Sequence, residues 1–176
     1  MKRLNKEKWL QAGLDRLNKT SYTDIKIEYL CKRLKVTKGS FYHHFKNIND
    51  YYSKLIEYLF NTDRFNLDKF IEDIPTPKGR LNYVNQQIIN NISKEKVSLR
   101  AWGSHNKEVK QQLDKTDVIR IEYLTKLYLD TGLDPKKASI MAKLNFALLV
   151  GIYQLFYNGS KSEINELIPE INNLFN

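Results

Sequence analysis

The sequence has little of the chemistry that would tie it to a redox, metal or membrane function. Its 176 residues include a single cysteine, so no disulfide framework can form within the chain. The most apolar run, residues 144–156, is interrupted by Asn145 and Gln154 and is shorter than the roughly 20 residues that cross a bilayer. The first ten residues are polar and charged, so we expect no secretory signal and a cytoplasmic protein that does not engage a membrane.

Motifs that identify common enzyme classes are also missing. The sequence contains no phosphate-binding GxxxxGK[ST] loop, GxSxG elbow, HExxH zinc motif, CxxC pair or dinucleotide-binding glycine pattern. We therefore expect a protein that is not an enzyme and that uses no cofactor. A helical enzyme with a general base in a buried cavity is the alternative, because such a base leaves no motif.

Positive charge, in contrast, is abundant and unevenly spread. The chain carries 29 Lys and Arg against 20 Asp and Glu, a net charge of +9. Residues 1–50 hold 12 of the basic and 5 of the acidic residues, so +7 of the total lies there. A compact basic segment beside a nearly neutral body is typical of a module that meets nucleic acid phosphates. A solvated basic face and a non-specific basic DNA-binding or membrane-surface protein are the alternatives.

Helical periodicity runs through the whole chain, and no strand-like alternation interrupts it. The clearest break is Pro75-Thr76-Pro77, because prolines this close together cannot continue a helix. Caps and breaks predict an all-α protein of about nine helices, approximately over residues 6–18, 25–34, 38–45, 48–71, 78–92, 94–102, 107–131, 135–157 and 161–176.

The short third helix follows a tight turn at residues 34–37, an arrangement with the dimensions of a helix-turn-helix. At about 100° per residue, Phe41 and Phe45 point inward. The opposite side then carries small and hydrogen-bonding residues: Gly39, Ser40, Tyr42 and His43. Glycine costs a helix about 1 kcal/mol relative to alanine, so Gly39 suits a surface that another molecule approaches closely. The major groove of DNA admits a helix and presents base edges to it.

Residues 36–45, with the sequence Val-Thr-Lys-Gly-Ser-Phe-Tyr-His-His-Phe, resemble the recognition-helix signature of the TetR family of bacterial transcriptional repressors. The specific similarity covers about residues 25–60. It implies phosphate contacts from Thr37, Tyr42 and His44, contacts to the bases from Gly39, Ser40 and His43, and a contact of either kind from Lys38. Phosphate contacts set position, whereas contacts to base edges carry sequence specificity.

Two positions depart from the family's pattern. Lys35 stands where the family usually has a turn glycine, so either this residue is left-handed at a cost of about 1 kcal/mol or the turn differs. Ile48 replaces a lysine that often contacts phosphate, and Lys46 is the candidate substitute. The adjacent histidines 43 and 44 can also be read as metal ligands. No cysteine or acidic partner lies at ligand spacing on that face, so we predict no metal site.

The remainder of the chain is predicted to dimerise. The helix that ends near residue 157 is apolar nearly all round over its second half, so both of its sides must be covered. We expect one side to face the domain core and the other to face a second subunit, with the last helix completing a symmetric four-helix interface, as the resemblance also implies. A single deeply buried core helix is the alternative. The predicted interface residues are Ala147, Val150, Gln154, Ile164, Leu167, Ile168 and Ile171.

Polar and aromatic residues at otherwise buried positions are candidates for an effector cavity: Tyr83, Gln87, Trp102, His105, Asn106, Tyr123, Asn145 and Tyr153. For each of them the alternative is an ordinary core whose polar groups are satisfied. We assign residues 1–48 to a DNA-binding domain and residues 49–176 to an effector-binding and dimerisation domain. The resemblance implies a repressor that binds a near-palindromic operator as a homodimer and is released by a small molecule.

Overall fold

The computed structural model describes residues 4–62, 71–90, 94–156 and 161–175. Within these ranges it contains nine α-helices, one short 3₁₀ turn at Tyr22–Asp24 and no strand, which confirms the all-α fold. The helices are α1 (Lys6–Leu17), α2 (Ile27–Leu34), α3 (Lys38–Tyr42), α4 (Ile48–Thr62), α5 (Pro77–Asn90), α6 (Lys94–Gly103), α7 (Lys107–Asp130), α8 (Pro135–Phe156) and α9 (Lys161–Phe175). The predicted ends of the fourth, fifth and eighth helices, near residues 71, 92 and 157, involve residues 63–70, 91–93 and 157, which lie outside the described part of the chain.

Side-chain caps set several of the helix starts. Each cap accepts a hydrogen bond from a backbone N–H of the first turn, Asn5 in α1 at 3.1 Å, Asn47 in α4 at 2.9 Å and Asp134 in α8 at 3.1 Å. The predicted break before α5 is confirmed, because Pro77 is the first residue of that helix and the Thr76 hydroxyl accepts from the N–H of Gly79 at 3.1 Å. Proline suits this first position, since its missing N–H would have had no partner within the helix.

The chain divides into two compact units. Unit 1 comprises Met1–Arg64 and Lys94–Leu113, and unit 2 comprises Phe65–Ser93 and Asp114–Asn176. Unit 1 therefore contains α4, α6 and the start of α7 in addition to the three helices of the predicted DNA-binding domain. The boundary after residue 48 stays a prediction about function rather than a division between compact units.

Aromatic side chains dominate the core of unit 1. The ring of Trp9 meets that of Phe41 edge-on with centroids 5.5 Å apart, and the rings of Phe45 and Tyr51 are 4.9 Å apart. The Tyr51 hydroxyl donates to the Trp9 carbonyl oxygen at 2.8 Å, and burial raises the pKa of this hydroxyl. A Cβ added at Gly13 would overlap the Tyr51 hydroxyl, so glycine is required for α4 to approach α1 this closely.

The core of unit 2 combines aliphatic clusters with buried amides. Asn85 and Asn145 are 1% and 0% exposed, and the Asn145 amide nitrogen donates to the Asn85 side-chain oxygen at 3.1 Å and to the Tyr128 hydroxyl at 3.0 Å. Burial raises the pKa of Tyr128 to about 12. Asn145 is therefore held by α5 and α7, so α8 contributes a polar contact as well as an apolar face to this core.

Ile171 requires a correction to the predicted interface. It is 3% exposed and belongs to the same apolar cluster as Ile89, Leu149 and Ile152. Because its side chain is buried within one chain, it has no surface to offer to a second subunit.

By length and composition alone, α8 passes the test for a membrane-crossing helix in the described part of the chain, with a mean hydropathy of 1.4 over its most apolar 18 residues. The helix begins at Pro135, so it is longer than the apolar run at residues 144–156 that its sequence shows. One face of α8, including Ala138, Ala142 and Leu149, is fully buried against its own unit. One third of that apolar window is buried in the structure, and we interpret α8 as a helix packed on the core of unit 2.

Candidate nucleic-acid interface

The third helix is anchored on one side and open on the other, as the helical wheel predicts. Phe41 and Phe45 are 0% and 1% exposed within the aromatic core of unit 1. Tyr42 is 55% exposed, Gly39 and His43 are exposed, and Ser40 is half-buried. α3 ends at Tyr42 rather than at the predicted residue 45, so His43 and Phe45 lie just beyond it, and the N–H of Phe45 donates to the Phe41 carbonyl at 3.0 Å. Residues 38–45 thus present small and hydrogen-bonding groups from a segment whose orientation is fixed by two phenylalanines.

The turn that precedes α3 is built on a left-handed residue. Lys35 has φ 56° and ψ 47°, and it is the one non-glycine residue with positive φ among those described. The N–H of Val36 donates to the Cys31 carbonyl at 3.0 Å and the N–H of Lys35 to that of Lys32 at 3.4 Å, which is the hydrogen-bond pattern of a Schellman motif. Of the two possibilities at this departure, the structure has the left-handed lysine.

Thr37 and Lys38 stand exposed at the start of α3. Thr37 is the N-cap residue, with extended backbone at ψ 162°, and its side chain makes no capping hydrogen bond. The Lys38 ammonium donates to the Glu28 carboxylate at 2.6 Å, which lowers the pKa of Glu28 and raises that of Lys38. Glu28 is not predictable from the sequence as a partner of Lys38, because no periodic pattern indicates that α2 and α3 bring these two side chains together.

The residues after α3 divide between surface and core. His44 is half-buried, with its ring 6.3 Å from that of Trp9 and 5.1 Å from that of His43. Lys46 is exposed, and its backbone N–H donates to the Asp50 carboxylate at 2.9 Å. Ile48 packs against the core of unit 1, so its hydrocarbon side chain has a packing role where the family often has a phosphate-binding lysine. Across the residues described, no group of three or more His, Cys, Asp or Glu is placed to hold a metal ion.

Three of the predicted effector-cavity residues lie in unit 1 and have structural surroundings of their own. Trp102 is 1% exposed and stacks on Tyr22 with ring centroids 5.2 Å apart. The Asn106 side chain caps α7 by accepting from the N–H of Val109 at 3.0 Å, and His105 is exposed. These three residues therefore belong to a different compact unit from the other five predicted cavity residues.

The other five predicted cavity residues, Tyr83, Gln87, Tyr123, Asn145 and Tyr153, lie in unit 2. Tyr153 is buried and its hydroxyl donates to the Ile88 carbonyl at 3.0 Å, whereas Tyr83, Gln87 and Tyr123 are half-buried. The side-chain oxygen of Asn145 is buried and has no hydrogen-bond partner among the described groups. Their role in binding an effector stays a prediction.

A groove of about 460 Å³ lies between α7 and α8 in unit 2. Its lining combines apolar side chains with two lysines and a glutamate: Val118, Ile121, Glu122, Thr125, Lys126, Leu129, Ser139 and Lys143. None of the eight predicted cavity residues lines it. Helical periodicity identifies which residues share a face, but it does not reveal where two faces leave a gap between them.

The predicted dimer residues are distributed over surface and core. Ala147 and Gln154 are exposed, and Val150 and Leu167 are half-buried. The side chains of Ile164 and Ile168 lie outside the described residues. On α8, five residues at helical spacing form an apolar line that we call the α8 stripe: Ile140, Leu144, Ala147, Gly151 and Leu155. Its three large members are 48%, 54% and 76% exposed, and nothing lies within 4 Å of a Cβ added at Gly151.

These features define a class, that of all-α proteins with an N-terminal helix-turn-helix. Comparison with solved structures identifies the fold within that class. A TetR transcriptional regulator from Legionella pneumophila superimposes with a TM-score of 0.77 at 15% identity, over 99% of this chain and 98% of that one. FadR from Bacillus subtilis, solved in complex with stearoyl-CoA, superimposes with a TM-score of 0.66 at 16% identity, over 97% of each chain. The protein has the fold of TetR-type transcriptional regulators, which confirms at the level of the fold the resemblance seen in residues 36–45.

Sequence comparison gives a shorter match. The transcriptional regulator AcuR of Cereibacter sphaeroides is 40% identical over 48 residues. That segment is 27% of this chain and 22% of AcuR, so the chain spans less than a quarter of the relative's length. No family model matches the chain.

Proposed function

We propose that this protein is a cytoplasmic transcriptional regulator, not an enzyme, that represses by binding a near-palindromic DNA operator as a homodimer and is released by a small molecule. The observation that carries the proposal is the surface of α3. Two phenylalanines hold this helix in the core, and its open side presents Gly39, Tyr42 and His43 from the most basic part of the chain.

The open side of α3 suits a major groove. A Cβ added at Gly39 would make a single ordinary van der Waals contact, with the Thr37 hydroxyl at 3.7 Å, so the protein itself packs little against this position. We assign contacts to base edges to Gly39, Ser40 and His43. The proposed phosphate contacts are from Thr37, Tyr42, His44 and Lys46, with Lys38 reaching either a phosphate or a base.

The α8 stripe supports the homodimer. Leu144 and Leu155 are more than half exposed, and residues of this kind in a line are typical of a surface that a partner covers. Ala147 and Gly151 lie between them, and small side chains let two helices approach closely. A two-fold axis through this surface would give two copies of α3 and hence an operator with two half-sites.

Two features of unit 2 support an effector. The open groove between α7 and α8 offers about 460 Å³, a volume within the range of small-molecule sites, and its lining combines apolar side chains with Glu122, Lys126 and Lys143. FadR, which shares the fold, is described with stearoyl-CoA bound. Release would follow if the effector binds the DNA-free state more tightly, and a tenfold loss of DNA affinity requires about 1.4 kcal/mol of such preference.

The test is selection of bound sequences from random double-stranded DNA by the purified full-length protein. We expect a single enriched motif with two-fold symmetry and an affinity that falls steeply with salt. Repeating the selection with a panel of metabolites and drugs would reveal an effector as a compound that abolishes enrichment. Salt-sensitive binding without enrichment would favour a non-specific basic protein. Turnover of a panel compound without DNA affinity would favour an enzyme.

A matched pair of variants makes the selection specific to α3. Gly39→Leu fills the space next to the proposed bases, whereas Ala101→Leu adds a similar side chain at an exposed position of α6. We expect Gly39→Leu to abolish enrichment and Ala101→Leu to retain it. Equal enrichment by both variants would contradict the assignment of α3 as the reading helix.

A further inference from the structure

Lys35 occupies a conformation that its side chain disfavours. At φ 56° and ψ 47° the backbone is left-handed, where a Cβ crowds the following carbonyl and glycine is free of the penalty. The Schellman turn that ends α2 usually has glycine at this position. Non-glycine residues kept in such a conformation concentrate at functional sites, so the choice of lysine calls for an explanation outside the turn.

Neither packing nor ion pairing within the chain explains this lysine. Its side chain is exposed, and no ion pair among the described residues involves it. Its cationic neighbours differ in this respect, since Arg33 lies 3.8 Å from the Asp15 carboxylate and Lys38 lies 2.6 Å from that of Glu28. The end of α2 already carries Lys32 and Arg33 in its last turn, so a cation that complements the helix dipole is present without Lys35.

The position of Lys35 indicates what its charge meets. Thr37 follows two residues later, so the Cα atoms of the two residues are at most about 7.6 Å apart, and Lys35 borders the residue that caps α3. Thr37 and Lys38 begin the exposed surface of α3. A cation on a turn at the edge of this surface is placed to meet the phosphates that border a groove.

We propose that Lys35 binds a DNA backbone phosphate beside the recognition helix and helps to set its register on the operator. This inference rests on the proposed function, and it adds a contact that the TetR-type signature does not assign to this residue. A phosphate contact positions the protein without reading sequence. Lys35 should therefore add affinity to every DNA site in similar measure.

The substitution Lys35→Gly separates a structural from a binding role because the two predict opposite signs. Removing the left-handed lysine should raise the thermal midpoint by about 2–4 °C. Loss of the phosphate contact should lower DNA affinity by roughly fivefold per subunit near 0.15 M salt, and should reduce the slope of log K against log salt by about 0.9 per subunit. Both measurements use the full-length protein and the operator obtained by selection.

Three further variants serve as controls. Lys35→Asn removes the charge but tolerates the left-handed turn, so it should lose affinity without a large change in stability. Lys35→Arg keeps the charge and should retain the salt slope. Lys137→Gln removes an exposed cation near the start of α8 and should change neither the affinity nor the slope by more than about twofold.

The outcomes separate this inference from the function on which it rests. If the unmodified protein binds no DNA, the proposed function fails. If it binds its operator and Lys35→Gly and Lys35→Asn retain its affinity and salt slope, the phosphate contact at Lys35 is wrong and the regulator stands. A loss confined to particular base pairs would also overturn it, because that result would indicate a base contact.

Discussion

The two units differ in what they leave on their surfaces. Among the described residues, unit 1 exposes a single large apolar or aromatic side chain, Tyr42, on α3. Unit 2 exposes seven: Val118, Ile119, Leu129, Ile140, Leu144, Leu155 and Leu174. A polar surface with one aromatic hydroxyl suits a charged partner such as DNA, whereas lines of exposed aliphatic side chains suit a protein or an apolar ligand.

The cores differ in the complementary way. Unit 1 is closed by the aromatic group around Trp9, and the fully buried side-chain amides in the described residues, Asn85 and Asn145, both belong to unit 2. Rigid rings hold α3 in one orientation, which a helix that reads base edges requires. Buried amides have hydrogen-bonding directions that a bound molecule can rearrange. The difference teaches that the surface proposed to meet DNA rests on a rigid aromatic core, whereas the unit proposed to bind an effector has polar groups within its core.

The largest effect should come from breaking the anchor of α3. Phe41→Ala removes a fully buried ring, and we expect the free energy of unfolding of unit 1 to fall by about 3–5 kcal/mol. Urea unfolding followed by tryptophan fluorescence measures it, because Trp9 and Trp102 both lie in this unit. Tyr42→Ala, at the exposed neighbouring position, should cost less than about 1 kcal/mol. Similar losses in the two variants would contradict the anchoring role.

Introducing a charge into the α8 stripe should weaken the proposed dimer. Leu144→Glu introduces a carboxylate on the α8 stripe. We expect the dissociation constant of the dimer to rise by at least about 100-fold, because that charge would be buried in the interface. Light scattering after gel filtration measures the molar mass across a concentration series. Ile119→Glu, on α7 and outside the lining of the groove, is the matched control. A dimer that survives Leu144→Glu, with its interface elsewhere, would remove the α8 stripe from the proposal.

Substituting alanine for two glycines in unit 1 should change the free energy of unfolding in opposite directions. Gly13→Ala places a Cβ against the Tyr51 hydroxyl and should cost about 1–3 kcal/mol. In Gly39→Ala the added Cβ meets only the Thr37 hydroxyl, at van der Waals distance, on an exposed helix, so this variant should gain up to about 1 kcal/mol while its DNA affinity falls. Thermal unfolding and operator binding measure both quantities. A stabilised Gly39→Ala that binds its operator fully would show that no base edge comes close to this residue.

The proposed division between base and phosphate contacts on α3 is open to a direct comparison. His43→Ala should change the preferred base at one operator position, whereas Tyr42→Phe should weaken all sites alike by about three- to tenfold. Binding to a panel of operators with single base changes distinguishes the two patterns. Uniform weakening by both substitutions would mean that His43 meets phosphate rather than a base.

The smallest effect concerns the ion pair at the start of α3. Lys38→Met removes the partner that lowers the pKa of Glu28, so that pKa should rise towards its ordinary value. A depressed pKa in the folded state means that the pair stabilises the protein above the pKa of the unfolded chain, and that this contribution is lost as pH falls through the folded pKa. NMR titration of the Glu28 carboxyl measures the shift, with Lys46→Met as the control. An unchanged Glu28 would show that the pair is absent in solution.

Much of this fold follows from local signals in the sequence. Asn5, Asn47 and Asp134 act as caps at the predicted starts, and Pro77 begins the helix after the predicted break. The burial of Phe41 and the exposure of His43 follow from helical geometry alone. Caps, breaks and wheels involve residues a few positions apart, so one sequence contains all the information that they require.

Predictions that depended on tertiary arrangement fared differently. Ile171 has the apolar character that the interface prediction used, but periodicity does not distinguish burial within a chain from burial between chains. Trp102 and Asn106 are predicted from their residue types to line a cavity. In the structure Trp102 stacks on Tyr22, and Asn106 caps a helix. The pair of Lys38 with Glu28 and the groove between α7 and α8 depend on how two helices meet. No spacing within one helix encodes that arrangement.

The anchoring of α3 by only two side chains has a consequence for how such a protein diversifies. Phe41 and Phe45 contribute the buried contacts, so exchanges at Ser40 and His43 leave the aromatic core intact. With α3 as the proposed reading helix, substitutions at these two positions alone would give a duplicated copy of the protein a different preferred operator sequence. Because positions 40 and 43 lie outside the aromatic core, they are the sites to randomise in a library from which variants with new operators are selected.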